Sequence, residues 1–149
     1  MNAPAKWVVL TWRLPSASST PRVTTWRTLQ RMGAVLLTPG AAIVPYSDDL
    51  LEQTEWLAER IVESGGDAWV LPVSDLRERD EAEIRERVRS ARDQEYDALR
   101  TKAGGPLTNR RVVALEHGYR SVVARDHFHA SGRGRARRAI DRARAKRRG

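Results

Sequence analysis

The feature that most restricts how this chain folds is the order of its first patterned segments. Residues 6–14, KWVVLTWRL, are dense in Trp, Val and Leu and read as a strand. Pro15 closes it and SASST is a loop. Thr20 and Pro21 open a helix, with Thr as N-cap and Pro at the first helical position. Within that helix Val23, Trp26, Leu29 and Met32 recur at helical spacing and are expected to face a core. Arg22, Arg27 and Arg31 fall mostly on the other side, and Gly33 fits a C-cap. Two short apolar runs follow, AVLL at 34–37 and AAIVP at 41–45. Thr38-Pro39-Gly40 between them is a turn sequence suited to a hairpin.

A second helix is expected over 49–64, capped by Ser47 or Asp48. Leu50, Leu51, Thr54, Leu57, Ala58 and Ile61 form its apolar stripe, and Gly65-Gly66 stops it. Residues 67–73, DAWVLPV, read as a fourth strand, with Pro72 marking its end or an edge position. The order is βαββαβ, the split β-α-β arrangement. It predicts an α+β, ferredoxin-like domain over residues 1–76, a four-stranded antiparallel sheet with two helices on one face.

From residue 79 to about 102 the chain is strongly charged, yet Ile84, Val88, Ala91, Glu95 and Leu99 keep a helical phase. Gly104-Gly105-Pro106 breaks it. A further helix is expected over 108–126, with Val112, Leu115, Tyr119 and Val122/Val123 on one face. The two make a helical hairpin, an extension over 77–130 expected to pack on the first domain. Residues 131–149 form an arginine-rich tail, flexible or helical only when a partner induces it.

Charge is unevenly placed. The chain carries a net charge of +8, and residues 121–149 hold 10 Arg/Lys against 2 Asp/Glu. The remaining residues balance at 17 against 17, so the whole excess lies in the C-terminal segment. A clustered basic segment beside a neutral body points to an anionic partner, nucleic acid first, because neutralised phosphates release counterions. There is no cysteine, which excludes disulfides, thiol catalysis and Cys-ligated zinc and makes a cytoplasmic location the default. No run of 18 apolar residues and no signal-peptide pattern is present, so no membrane partner is expected.

The segments WRLP at 12–15, PRVTTWRTLQRMGAVLL at 21–37, IVP at 43–45, ARDQEY at 91–96 and VVARDHF at 122–128 together carry a resemblance. In that order and spacing the chain resembles the N-terminal domain of the chromate-resistance regulator ChrB, over roughly residues 6–145. The first half also looks like the C-terminal region of the phenylacetate-catabolism repressors and like the small CRISPR-associated endoribonucleases, both ferredoxin-like and commonly dimeric. The resemblance implies a bacterial regulator that binds DNA, in a system responsive to chromate or oxidative stress, and a possible homodimer. The chain is expected to stand alone, without the second domain of ChrB. Where the CRISPR-associated relatives carry a metal-supporting Asp at the end of the first strand, this chain has Trp12-Arg13-Leu14.

Four groups of residues are chemically suggestive. Arg13, Arg22, Arg27 and Arg31, with Trp12 and Trp26, form one wall of a nucleic-acid groove or else a solvated helix face with the Trp residues in the core. Arg92, Asp93, Glu95 and Tyr96, with Arg125 and Asp126, form an interhelical ion-pair network or else an anion site with Glu95 as base and Tyr96 as donor. His117, His127 and His129 are candidate metal ligands only if the last helix ends near 126; solvent-exposed histidines are the plainer reading, and no metal or other cofactor is expected. Arg133, Arg135, Arg137, Arg138, Arg142, Arg144, Lys146, Arg147 and Arg148 supply phosphate affinity with little base discrimination. GxSxG, P-loop, GxGxxG and HExxH motifs are all absent. The leading expectation is a ChrB-like transcriptional regulator binding nucleic acid, DNA first and RNA second. The alternatives are an enzyme acting on an RNA-bound, tRNA-type or other anionic substrate, and a structural adaptor.

Overall fold

The computed structural model of the chain describes residues 3–15 and 19–148. Part of the expected SASST loop, residues 16–18, and the last residue of the tail lie outside the described residues. Two units form, Met1–Ile84 and Arg85–Gly149.

The first unit contains β1 (Trp7–Arg13), α1 (Thr20–Met32), β2 (Val35–Thr38), β3 (Ala41–Pro45), α2 (Asp48–Glu63) and β4 (Asp67–Val73). The sheet order is β2-β3-β1-β4 and each neighbouring pair is antiparallel. This is the ferredoxin-like arrangement, with the β-rich, fully paired β1 at the centre. Pro72 sits in β4, an edge strand, where a missing N–H costs no ladder bond. Leu10 and Ala42 from the sheet pack with Leu29 of α1 and Leu57 and Ile61 of α2. Val8 and Val44 pack with Met32 and Leu50. Each of these Val, Leu, Ile and Met side chains contributes about 1.5–3 kcal/mol by leaving water.

Local signals account for the element ends. The Ser47 hydroxyl accepts a bond from the Leu50 N–H at 3.0 Å, and Asp48 and Asp49 lie in the first turn of α2, against the positive end of the helix dipole. Gly33, at φ 74°, ends α1 as expected. The start of α1 differs: Ser19 is its N-cap, without a side-chain capping bond, and Thr20 and Pro21 are already helical. The Pro39-Gly40 turn folds back over β1, where the Trp12 N–H donates to the Gly40 carbonyl at 2.9 Å. A Cβ on Gly40 would lie 2.7 Å from the Trp12 carbonyl oxygen, so only glycine permits this approach.

The expected inward face of α1 is corrected by the structure. Thr25, Leu29 and Met32 are buried, whereas Val23 and Trp26 are 45% and 44% exposed. The helix is oriented by the 25-29-32 spacing, with the small Thr25 among its buried residues. Trp26, one residue further round, is turned outward.

In the second unit, α3 (Glu78–Ala103) enters from the first and is followed by α4 (Asn109–Ala124) and α5 (Arg133–Arg148). Thr108 caps α4 by accepting from the Arg111 N–H at 3.1 Å. Leu99, Leu115, Val122, Ala136, Ile140 and Ala143 belong to one core. Residues 133–148 are thus a helix whose Ala136, Ala139, Ile140 and Ala143 are buried. Alanine and arginine both favour helix, and the small apolar residues recur at i, i+3, i+4 and i+7. Among the described residues no helix is long and apolar enough to cross a membrane.

Candidate nucleic-acid interface

The arginines of α5 sort by helix face. Arg137 and Arg144 both pair with Glu116 of α4, Arg137 at 2.7 Å, and Arg137 also pairs with Asp141 at 2.8 Å. The Arg137 guanidinium lies 4.6 Å from the centre of the Tyr119 ring. The Arg133 Nε donates to the Tyr119 hydroxyl at 3.3 Å, and Arg147 donates to the Asn109 side-chain oxygen at 3.1 Å. Bonding to Arg137 holds the Glu116 carboxyl below its ordinary range, and the same bond raises Arg137. Four basic residues thus fasten the helix to α4. Their partners Glu116, Tyr119 and Asn109 escaped sequence reasoning, because each lies at least 14 residues from the arginine it binds.

The other flank of α5 is different. Arg135, Arg138, Arg142 and Lys146 are exposed. At 100° per residue they fall within about 80° of one another, on a stripe about 16 Å long. Among the described residues none of the four has an ion-pair partner. Arg135 borders a shallow polar cleft together with Glu86 and Asp97. Arg148 is exposed at the helix end, outside the stripe.

The Arg-Asp pairs of α3 and of the segment after α4 do converge. The Tyr96 hydroxyl donates to Asp126 Oδ2 at 2.8 Å, and the Ala130 N–H donates to Asp126 Oδ1 at 2.9 Å. Arg92 Nε lies 2.7 Å from Glu95 Oε1, Arg92 Nη1 donates to the Arg125 carbonyl at 3.2 Å, and Arg125 grips both Glu95 oxygens. Asp93 accepts from the Gly132 N–H at 2.7 Å and the Ser131 hydroxyl at 3.3 Å. Every carboxylate oxygen of Asp93, Glu95 and Asp126 therefore has a partner. Burial, reinforced by the bond to Asp126, pushes the Tyr96 hydroxyl far up. Burial also lowers Arg92, whose side chain is 8% exposed. The arrangement stitches residues 125–132 to α3 through these bonds.

His117 and His129 are exposed, His127 is half-buried, and among the described residues no three His, Asp or Glu side chains are grouped to hold a metal.

In the first unit Trp12, Arg13, Arg22 and Trp26 meet in one open groove of about 810 Å³, with Thr25 and Leu37 in its wall and Pro39-Gly40 at its rim. Arg13 also pairs with Asp67 at 2.7 Å. Arg27 and Arg31 are not part of this groove. Arg31 bonds the Thr28 hydroxyl at 3.2 Å and borders another cleft with Asp49, Glu52 and Trp56.

The family model described as "Protein ChrB, N-terminal" matches residues 22–105, more than half of the chain. This chain belongs to the ChrB N-terminal family. Protein ChrB of Cupriavidus metallidurans is 33% identical over 79 residues, which are 53% of this chain and 24% of that protein. The match thus spans about a quarter of the relative's length. No solved structure matches. The ChrB-matching span includes α1 from Arg22 onward, the groove residues contributed by α1 and the β2–β3 hairpin, and the Arg92–Tyr96 side of the ion-pair cluster, while Trp12 and Arg13 of the groove and all of α4 and α5 lie outside it.

Proposed function

We propose that this ChrB-family chain is a transcriptional regulator of the chromate-resistance type that binds duplex DNA, with α5 as the docking helix. The observation that carries this reading is the exposed stripe of Arg135, Arg138, Arg142 and Lys146, four cations on one face of a helix already anchored through its other flank. Such a stripe fits a phosphate backbone and gives affinity without base reading. DNA is preferred over RNA because the major groove of B-DNA admits an α-helix, whereas that of A-form RNA is deep and narrow. The catalytic alternative finds no support in the ion-pair cluster, where each carboxylate is occupied.

The test is fluorescence anisotropy with duplex DNA, duplex RNA and heparin, on the wild type and the Arg135→Ala/Arg138→Ala/Arg142→Ala/Lys146→Ala variant. Four phosphate contacts predict a slope of log K against log salt of about −3.6, or about 150-fold weaker binding between 50 and 200 mM salt. The variant should lose most of this affinity and flatten the slope. Absence of duplex DNA binding by the wild type at low salt, or an unchanged slope in the variant, would overturn the proposal.

A further inference from the structure

The groove in the first unit joins features that neither the family match nor the duplex-binding reading explains. Trp26 is 44% exposed on a helix whose neighbouring positions are polar, and Trp12 lines the same groove. Val23 and Leu37 are also exposed, at 45% and 40%, and Leu37 lies in the groove wall. An apolar recess of this kind would serve many ligands, but its charge narrows the choice. Both ionisable side chains lining it, Arg13 and Arg22, are cationic. Arg22 has no ion-pair partner among the described residues. Arg13 shares its charge with Asp67, a partner itself half-exposed at 49%.

We infer that this groove binds unpaired nucleotides, with the indole of Trp26 stacking on a base and Arg22 and Arg13 contacting the adjoining phosphates. Indole faces accept any base, and guanidinium groups match phosphate oxygens in pairs. The Thr38 hydroxyl in the groove lining accepts from the Gly40 N–H at 3.4 Å and keeps its O–H to donate to a base edge. A volume of about 810 Å³ falls within the range of about 300–1,000 Å³ typical of sites for small ligands and admits a nucleotide with its sugar and phosphate. The inference rests on the nucleic-acid-binding reading above and adds a second mode to it: α5 holds paired strands by their backbone, and the groove takes bases that are out of the stack.

The experiment titrates the full chain with fluorescent oligo(dT), oligo(U) and duplex DNA. It compares the wild type with Trp26→Ala, Trp26→Phe and Arg22→Ala, at exposed positions, and with Asp67→Asn, at a half-exposed one. Trp26→Ala should weaken single-strand binding by about 5- to 150-fold, the span of one lost base stack, and Trp26→Phe should restore most of it. Arg22→Ala should weaken it and reduce its salt dependence. Asp67→Asn should tighten it, because Arg13 is then free for phosphate. All four should leave duplex binding and the melting temperature unchanged. The oligo(dT) and oligo(U) arms decide whether the natural strand is DNA or RNA. Wild-type single-strand affinity in Trp26→Ala, or no single-strand binding by the wild type, overturns the inference while duplex binding still upholds the α5 reading. Single-strand binding that depends on Trp26, in a protein that ignores duplex DNA, would uphold the groove and overturn the regulator reading.

Discussion

Tyr96 and Asp126 show what a single buried contact does in this protein. The phenol is 1% exposed and its hydroxyl has one acceptor, a carboxylate that is itself buried. Removing the donor leaves Asp126 Oδ2 unbonded, so Tyr96→Phe is expected to destabilise the helical unit by about 1.5–3 kcal/mol, measured by urea unfolding. DNA affinity of the folded variant should not change. A stability equal to wild type would mean that water replaces the phenol and that the cluster does not hold the 125–132 segment. The sequence supplied the participants here, since Arg92, Asp93, Glu95, Tyr96, Arg125 and Asp126 all stand in two short motifs. It did not supply the pairing, because the 30-residue separation of Tyr96 from Asp126 is bridged only when the helices pack. Trp26 is the opposite case. Its spacing from Val23 and Leu29 matched a buried stripe, yet the true stripe begins at Thr25. A Thr carries little hydrophobic signal, so a phase set by burying it is not visible to periodicity alone.

At the scale of elements, α5 is the instructive one. Ten of its residues are charged, and mutual repulsion argues for fraying. Two things oppose that repulsion. The small Ala136, Ala139 and Ala143, with Ile140, bury an interface, and Glu116 accepts both Arg137 and Arg144. The Glu116 carboxyl is depressed in the folded state, so its contribution is complete above the ordinary glutamate range and is lost as pH falls through the lower, folded value. The protection of the residue 133–148 amides, measured against their intrinsic exchange rates, is therefore expected to fall selectively as pH drops below the ordinary glutamate range. Glu116→Gln should show fast exchange already at neutral pH. Uniform exchange across α4 and α5 at all pH values would refute this anchoring role. The sequence marked this stretch as basic and capable of helix. Its docking depended on partners in α4 that no local pattern announces.

Across the whole molecule, the charge asymmetry has two structural roles that composition merges. Of the basic residues in α5, Arg133, Arg137, Arg144 and Arg147 bind within the chain, and Arg135, Arg138, Arg142 and Lys146 face solvent. Truncation after Ser131 therefore removes part of a core as well as a charge. Thermal unfolding of that truncated chain should show a helical unit markedly less stable than in the intact protein, whereas the four-residue alanine variant should melt like the wild type. Equal melting of the truncated and intact chains would mean that α5 adds nothing to the core. The βαββαβ order was legible in the sequence because strands, turns and caps are local: Thr38-Pro39-Gly40, Ser47 and Gly33 each act within a few residues. Alternating short apolar runs left the first unit few other ways to bury itself, and so the sequence by itself determined the ferredoxin-like sheet and the location of the excess charge. Only the tertiary structure decided which way α1 turns, which arginines are consumed by Glu116, Tyr119 and Asn109, and which side chains meet in the groove. Those outcomes depend on packing between segments far apart in the chain, where the deciding energies arise from contacts that exist only after folding.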